Sequence, residues 1–555
     1  MLKYFEDSKV CRVMLHPPLV AEDINALQKL FYKDYSRWIV EFGRIYNISG
    51  ELVHLLNKEI VKNNKNISII THKNKLSRYL DKLGFNTTFI SLLKDSVVKT
   101  SLIEVVLIGG SADSSPKIMQ IVSNIDITNL SVVVVQHVQI DRVGIFDEIL
   151  QKYTTHKVCY AKEGEAIQKG VIYLAPNNKH LKVKNGLFFL SDEEKYNYAK
   201  PSISLSYESF SAYYKESLLV IQECGYASDG VDKLEFLKSN KSTLIVQDQC
   251  ECEAKSMVLN AVALNVHDYI LNLEDIVLFI NFVNKKMTKE EWIEYLLEMI
   301  LERYGYDFRL YQRDMIQRRI GIFMIKHAIK EIKDAVALIL FNKTAFKVFF
   351  LEISINVTEF FRKPSSFAHI IQLLKKHYKK AHNIKVWSAG CSSGEEVYSL
   401  AILLQSLGML QKTILYATDF NSVVLEEAKN GIYSNDSYEL ALSNFEQIGL
   451  DDRLEKYITK NENYITIDEK IREKTLFFQH NLATDSSFNE FDIIICSNVI
   501  IYFDDNLQKR VFTLFYESLK FGGYLILGQS ETVHSAFKDK FKKCSDKSKI
   551  YKKVA

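Results

Sequence analysis

Proline and glycine are scarce in this chain of 555 residues, which contains 6 and 21 of them, respectively. We find no low-complexity linker and no internal repeat of about 20 to 50 residues, which argues against repeat architectures. Long apolar runs are also missing: Ser131–Val135 and Ile276–Val283 are far shorter than the roughly 20 residues of a membrane-spanning helix. No charged-then-apolar leader opens the sequence. We therefore expect a cytoplasmic protein without membrane insertion.

Paired cysteines and an excess of one charge are absent as well. The 8 cysteines are scattered without a Cys-x-x-Cys pair, and Cys250 and Cys252 lie too close together for a usual zinc site. We expect free thiols and no metal. The net charge of +3 argues against a nucleic-acid binder. Apolar residues make up 47% of the chain, which suffices for three or four packed domains of about 150 residues each.

Helix and strand patterns divide the chain into four segments. Residues 1–100 predict a small α/β domain. Residues 101–284 alternate apolar strands with helices, which predicts a parallel sheet. Residues 285–350 show only helical apolar spacing, and residues 351–555 alternate strands and helices again. The predicted fold is α/β, with two doubly wound, mostly parallel sheets separated by an all-helical subdomain.

Polar residues follow three predicted strands of the C-terminal sheet. Ile384–Leu404 reads as a strand, a turn of small residues and a helix, and the next strand ends in Asp419. A third strand ends at Ser497 and Asn498, with Tyr502 shortly after. Any one of them could be a turn or cap residue. Together they predict a nucleotide-like cofactor site at the carboxyl ends of the strands.

Several ordered motifs in this region resemble CheR-type chemoreceptor methyltransferases. They are NVTEFFR, WSAGCSSGEE, ATDF, FFQHNL and CSNVIIYFD, within a similarity from Thr288 to Tyr551. The resemblance implies that S-adenosylmethionine is the cofactor and that receptor glutamates are methylated. The residues it implies for the cofactor and substrate pocket are Asn356, Thr358, Arg362, Glu395 (or its neighbour Glu396), Asp419, Asn481, Leu482, Ser497 and Asn498, with Arg362 and Tyr502 beside the methyl group. The family usually has Arg where this chain has Ser497.

The chemistry of glutamate methylation fits such a site. A glutamate side chain has a pKa near 4.3, so it is an anionic nucleophile at neutral pH without a general base or metal. Alignment of the reactants can then supply most of the catalysis, and Arg362 can orient the carboxylate. Two further resemblances concern receptor binding: a small β-subdomain around Ile448–Thr466, and basic helices that would dock acidic receptor helices. The basic residues are Arg309, Arg313, Arg318, Arg319, Lys326 and Lys330; alternatively they form a solvated face.

Three residues at strand ends of the middle sheet form a possible catalytic triad. Ser111 follows VVLIGG, His137 follows VVVVQ, and Asp229 lies in the turn GYASDG. In a Ser-His-Asp triad, the histidine takes the hydroxyl proton and the aspartate orients the imidazole. A lone histidine after a strand is more often structural.

The segment from Glu104 to Asn281 resembles the catalytic domain of CheB-type methylesterases. The resemblance implies that Ser111 is the nucleophile, His137 the base and Asp229 the orienting acid, and that glutamyl methyl esters are hydrolysed. Backbone near Ala112 and Tyr226 would form the oxyanion site. The family usually continues its serine with Thr-Gly-Gly, whereas this chain has Ala112, Asp113 and Ser114. An inward-pointing Asp113 carboxylate would oppose the oxyanion.

Two pieces of the N-terminal segment resemble a STAS-type regulatory domain, in which Ser49 would take the place of a phosphorylatable serine. An unrelated α/β extension fits these pieces equally well.

The leading hypothesis is a bifunctional enzyme that methylates and demethylates methyl-accepting chemotaxis receptors. An alternative keeps the methyltransferase and makes the middle domain a catalytically silent binding module. A third, a methyltransferase of small molecules or nucleic acids, uses the same cofactor fold.

Overall fold

The computed structural model describes residues 98–137, 145–226, 228–354, 358–461 and 464–555, and, before these, Leu27 and four strands. The chain divides into two compact units. One is Ser96–Ile355, and the other combines Met1–Asp95 with Asn356–Ala555. Within the described ranges, no helix has the length and apolar character needed to cross a membrane.

The strands described before residue 98 form one mixed sheet. Strand β1 pairs antiparallel with β2, and β2, β3 and β4 run parallel. Their bounds are β1 Leu2–Asp7, β2 Val10–Leu15, β3 Arg37–Phe42 and β4 Ile67–Thr71. Ser49 lies outside the described residues, so the STAS resemblance is not confirmed and stays a prediction.

The middle sheet has seven parallel strands in the order β13-β12-β11-β5-β6-β8-β7. The strands are β5 Val105–Gly110, β6 Ser131–Gln136, β7 Lys157–Tyr160, β8 Val171–Leu174, β11 Leu218–Gln222, β12 Thr243–Gln247 and β13 Tyr269–Leu271; β9 His180–Lys184 and β10 Leu187–Ser191 form a separate hairpin. The helices are α1 Ser115–Asn124, α2 Phe146–Gln151, α3 Ile203–Tyr214, α4 Leu234–Ser239, α5 Ser256–Ala263 and α6 Leu273–Asn284. The four central strands are buried along their whole length, as apolar runs of parallel sheets require.

Strand order reverses at β5, which lies between β6 and β11. The chain first builds one side of the sheet through β6, β7 and β8 and then returns to build the other side through β11. Loops that leave the carboxyl ends of β5, β6 and β11 therefore meet in one crevice, where ligands of such sheets bind.

Four helices follow the middle sheet, as the sequence predicts: α7 Lys289–Tyr304, α8 Arg313–Lys326, α9 Ile332–Phe341 and α10 Lys343–Ile353. They share a core with the end of the middle domain. The ring centroids of Phe282 and Trp292 lie 4.8 Å apart, as do those of Phe279 and Phe341. These contacts bind the helices and the middle sheet into one unit.

The C-terminal sheet is mixed, in the order β19-β15-β14-β20-β21-β23-β22; β23 pairs antiparallel with both β21 and β22, and the other neighbouring strands pair parallel. Its strands are β14 Ile384–Ala389, β15 Thr413–Asp419, β19 Thr475–Gln479, β20 Phe491–Cys496, β21 Leu519–Leu527, β22 Phe541–Lys543 and β23 Ile550–Lys553. Its helices are α11 Pro364–Leu373, α12 Glu395–Ser406, α13 Ser422–Asn430, α14 Asp436–Ile448, α15 Glu469–Arg472 and α16 Asp505–Ser518. The order reverses between β14 and β20, so these two strand ends mark the ligand crevice.

A small antiparallel sheet is inserted before β19. It consists of β16 Ile432–Ser434, β17 Ile458–Lys460 and β18 Tyr464–Ile467, in the order β16-β18-β17. The insertion thus contains β-structure where the sequence resembles a β-subdomain. The fold class is confirmed, with both sheets and the intervening helices as predicted.

Candidate functional site

Ser111, His137 and Asp229 come together in the crevice of the middle sheet. Ser111 directly follows β5 and His137 directly follows β6. The Ser111 Oγ lies 3.0 Å from His137 Nδ1, and His137 Nε2 lies 2.8 Å from Asp229 Oδ2. These distances allow the hydroxyl proton to pass to the imidazole while the carboxylate fixes its tautomer.

The amino end of α3 holds the Asp229 carboxylate. Oδ2 accepts a hydrogen bond from the Ile203 amide at 2.7 Å, and Oδ1 accepts from the Ser204 amide at 3.1 Å and the Ser202 hydroxyl at 2.9 Å. Burial alone would raise the pKa of Asp229, but the bonds from His137, Ser204 and Ile203 outweigh it and hold this pKa below its usual value. The carboxylate is therefore anionic opposite His137.

A buried histidine, His180, helps to position Ser202, which donates to the Asp229 carboxylate. Its Nδ1 accepts the Ser202 amide at 3.1 Å, and its Nε2 lies 2.9 Å from the Glu194 carbonyl oxygen. The ring is thus a neutral tautomer with Nε2–H as donor. No sequence motif points to His180, since it falls in a hairpin strand remote from the three motifs.

The turn after Ser111 turns the Asp113 carboxylate toward neighbouring donors. Asp113 has φ of 71°, a left-handed conformation that glycine adopts freely and aspartate tolerates. Its carboxylate accepts hydrogen bonds from the Lys117 ammonium and, at 2.8 Å, from the Glu253 amide. Burial would raise the pKa of Asp113, but these bonds hold it below its usual value. The Asp113 carboxylate is therefore bound to Lys117 and to the Glu253 amide, and the Lys117 ammonium balances its charge.

A disulfide lies next to the turn that carries Ser111. Cys224 and Cys252 are bonded, with Cα atoms 5.7 Å apart, so the prediction of free thiols is wrong for this pair. Their 28-residue separation forms no spacing motif, which is why the sequence did not reveal it. The Cys224 carbonyl accepts the Ser111 amide at 3.0 Å. The bridge thereby connects Ser111 to the segment around Cys252.

Glu223 is buried beside the same turn. Its side chain is 0% exposed, and no described residue donates to either carboxylate oxygen. A side chain added at Gly110 would come within 3.2 Å of its Cβ, so Glu223 lies next to the backbone that carries Ser111. Burial raises the pKa of Glu223 to about 8.

Close backbone approach shapes the crevice of the C-terminal sheet. Gly390 follows β14 with φ of +75°, and a Cβ there would lie 2.5 Å from Cγ2 of Val499, which follows β20. Only glycine fits both the conformation and the space. The two strand ends thus come together at the reversal point, as the sequence predicts.

Two neighbouring glutamates begin α12. Glu395 is buried and accepts a hydrogen bond from Ser393 Oγ at 2.7 Å. Glu396 lies 3.5 Å from Ser388 Oγ. Burial raises the pKa of Glu396 to about 7, opposed by a hydrogen bond from Ser497 and by the charge of Arg362. Ser497, which replaces the family's usual arginine, therefore still contacts a carboxylate of the crevice.

Asp419 ties two strand ends together. Its Oδ2 accepts the Ser392 amide and its Oδ1 the Asn421 amide, each at 2.9 Å. Burial raises its pKa, although the amides from Asn421 and Ser392 oppose this. Asp419 therefore shapes the turn after β14 in addition to presenting an acceptor at the end of β15.

A buried glutamate that the sequence analysis missed, Glu531, organises the turn after β20. Its two carboxylate oxygens accept the amides of Asn498, Val499, Ile500 and Gly528 at 2.7 to 3.1 Å. Burial raises the pKa of Glu531 while these four bonds oppose the shift. Asn498 has φ of 59°, so this carboxylate holds a turn in a conformation that few non-glycine residues adopt.

The remaining residues predicted for the C-terminal crevice differ in their contacts and in their exposure. Asn481 closes its own turn, because its Oδ1 accepts the Ala483 amide at 3.0 Å. The neighbouring Leu482 is buried. Thr358, Arg362 and Tyr502 are partly exposed, and Asn356 lies outside the described residues.

Models of known protein families match the two segments of the chain that contain these sites. The model "CheB methylesterase" matches residues 106–280, "CheR methyltransferase, all-alpha domain" matches 291–354, and "CheR methyltransferase, SAM binding domain" matches 356–550. Cher3 of Pseudomonas putida is 38% identical over 262 residues, 47% of this chain and 96% of that protein. A Leptospira interrogans protein, whose name combines protein-glutamate methylesterase with protein-glutamine glutaminase, is 34% identical over 26% of this chain and 77% of its own length. The chain belongs to both families.

A chemotaxis protein methyltransferase of Listeria monocytogenes is also similar, with 31% identity over 43% of this chain and 89% of that protein. Among solved structures, the Thermotoga maritima CheB methylesterase catalytic domain covers 32% of this chain and 97% of that domain, with 24% identity and a TM-score of 0.30. The family models and the curated relatives together identify the chain as a bifunctional enzyme of chemotactic adaptation. It joins a CheB-type methylesterase domain to a CheR-type methyltransferase that uses S-adenosylmethionine.

Proposed function

We propose that this chain methylates glutamate side chains of methyl-accepting chemotaxis receptors and also hydrolyses the resulting methyl esters. The continuous hydrogen-bonded series from Ser111 through His137 to Asp229 carries the proposal, since it gives the CheB-type domain the groups that ester hydrolysis needs. Acting on the cytoplasmic part of such receptors would place the chain in the cytoplasm. We also infer domain limits of 1–100, 101–284, 285–350 and 351–555.

In the esterase reaction, His137 accepts the Ser111 proton as the Oγ attacks the ester carbonyl. The protonated His137 then donates to the departing methoxide oxygen, and methanol leaves. Water, deprotonated by His137, hydrolyses the acyl-enzyme and frees the glutamate. Asp229 stabilises the imidazolium through the 2.8 Å bond, and the Ala112 and Tyr226 amides are our proposed oxyanion donors.

The C-terminal crevice suits S-adenosylmethionine, whose sulfonium and ammonium groups are cationic. The carboxylates of Glu395, Glu396 and Asp419 complement that charge, and the close approach of Gly390 to Val499 brings together the two strand ends that form the crevice. We propose that these residues hold it together with Asn356, Thr358, Asn481, Leu482, Ser497 and Asn498. When bound, it supplies the methyl group.

Positioning is what the chain contributes to methyl transfer. We propose that Arg362 and Tyr502 orient the acceptor carboxylate, which is already anionic and needs no base. Arg362 is close enough to influence Glu396 electrostatically, which supports its place in this crevice. Glu531 acts through the Asn498 turn and is a positioning residue.

A catalytically silent CheB-type domain is the second candidate. It is favoured by Ala112, Asp113 and Ser114, which replace the usual Thr-Gly-Gly. Against it, Asp113 adopts a glycine-like φ of 71° and its carboxylate is engaged by Lys117, so the turn keeps its shape without glycine.

Hydrolysis of a methylated receptor by the purified full chain separates the two candidates. The active enzyme should release methanol, and Ser111→Ala should abolish that release while methyl transfer continues. Release that survives Ser111→Ala would refute the triad, and no release by the unsubstituted chain would favour the silent domain.

A further inference from the structure

An exposed tyrosine, Tyr198, occupies a strained position in the segment that leads into α3, whose amino end holds Asp229. Tyr196 and Ala199 close a two-residue turn through mutual backbone hydrogen bonds of 3.2 and 3.0 Å. The two central residues, Asn197 and Tyr198, have φ of 51° and 63°. Turns with two such residues favour glycine at the second position, where a bulky side chain is strained.

The ring of Tyr198 is not buried, so no packing contact offsets this strain. Its side chain is 98% exposed, so it is not packed against the domain. An aromatic ring in water loses the burial that usually stabilises it. Strain without a packing benefit is characteristic of functional positions.

The turn is fixed to the groups that anchor the triad. Asn197 Nδ2 lies 3.2 Å from both Ser204 Oγ and Asp232 Oδ1, and the Tyr196 hydroxyl donates to Asp232 Oδ2 at 3.0 Å. The Ser204 amide in turn donates to Asp229 at 3.1 Å. Tyr198 is therefore held at the same edge of the sheet as the triad, on a braced turn.

We propose that Tyr198 is a substrate-contact residue, against which the polypeptide flanking the esterified glutamate packs. The inference rests on the esterase half of the proposed function. A rigid, solvent-facing aromatic ring offers a large contact area with little loss of conformational freedom on binding. It recognises the protein around the ester and takes no part in bond breaking, so it distinguishes a receptor from a small ester.

The test compares two substrates in the full chain and its Tyr198→Gly variant. One substrate is receptor membrane methylated beforehand, and the other is the γ-methyl ester of N-acetylglutamate amide. Tyr198→Gly should raise KM for the receptor roughly tenfold and leave kcat/KM for the small ester unchanged. Because glycine adopts this φ without strain, the variant should also melt at the same or a higher temperature. The matched control is Tyr153→Ala, which removes a half-exposed tyrosine after α2.

A receptor KM within twofold of that of the unsubstituted chain would overturn the proposal. Equal losses on both substrates would overturn it too, because they would show that the turn acts through Asp229. If the unsubstituted chain hydrolyses neither substrate, the proposed esterase function fails and this inference fails with it. Small-ester hydrolysis that stays normal while receptor hydrolysis falls would support both.

Discussion

Replacing Glu223 by glutamine should remove a pH-dependent destabilisation from the CheB-type domain. Burial raises the pKa of this carboxyl from 4.5 to about 8, because the charged form loses its hydration. Because the folded-state pKa lies above the unfolded one, the stability that Glu223 contributes is fully present below about pH 4.5 and is lost as the pH rises through about 8. Glutamine has a similar shape and does not ionise.

The two pKa values set the size of the effect. With 4.5 unfolded and about 8 folded, the pKa difference of Glu223 lowers the free energy of unfolding by about 2 kcal/mol at pH 6 and about 4 kcal/mol at pH 8. The stability advantage of Glu223→Gln over the unsubstituted chain should therefore grow by about 2 kcal/mol across that interval. For a domain of this size, that corresponds to a change of roughly 4–8 °C in Tm.

Calorimetric unfolding of the full chain at about pH 6, 7 and 8 measures this advantage. Other titrating groups are the same in both proteins, so their contributions cancel in the difference. Glu235→Gln is the matched control, since Glu235 is exposed on α4 and should give a small difference at every pH. A Glu223→Gln advantage that does not change with pH would refute the assignment of a buried, protonated carboxyl.

Three further predictions concern the turns around the two sites. Glu531→Gln should weaken S-adenosylmethionine binding at least tenfold by titration calorimetry and leave ester hydrolysis intact, since an amide cannot accept from four backbone donors; unchanged affinity would contradict its positioning role. Gly390→Ala should abolish measurable S-adenosylmethionine binding because the added Cβ collides with the neighbouring turn. Its control is Gly408→Ala, which should retain binding, since Gly408 has φ of +67° but nothing within 4 Å. Equal losses of affinity in the two variants would show that backbone strain alone matters. Cys224→Ser should lower the free energy of unfolding of the CheB-type domain by about 3–4 kcal/mol, the loop-closure value for a bridge of this span, and denaturant curves that match those of the unsubstituted chain would contradict this.

The sequence allowed prediction of the groups that sit at strand ends. Ser111, His137 and Asp229 each follow or lie near the end of a parallel strand, and such ends converge in a doubly wound sheet. The same convergence of strand ends brings Gly390 close to Val499, which follows β20. Apolar strands separated by helices were enough to predict both sheets.

Groups that act through backbone contacts or through long-range pairing left no pattern in the sequence. Glu531 binds four amides that come from two turns, and His180 holds Asp229 only through Ser202. The Cys224 disulfide depends on the end of β11 meeting a loop after β12, which only the folded sheet reveals.

A radiolabelled-methyl chase tests the central claim, that one chain both adds and removes receptor methyl groups. The full chain is incubated with labelled S-adenosylmethionine and receptor-containing membranes, and volatile methanol is collected after an unlabelled chase. The account predicts that label enters the receptors and then leaves as methanol, and that Ser111→Ala traps it on the receptors. Label that enters and stays with the unsubstituted chain would contradict the esterase half of the account, and label that never enters would contradict the methyltransferase half.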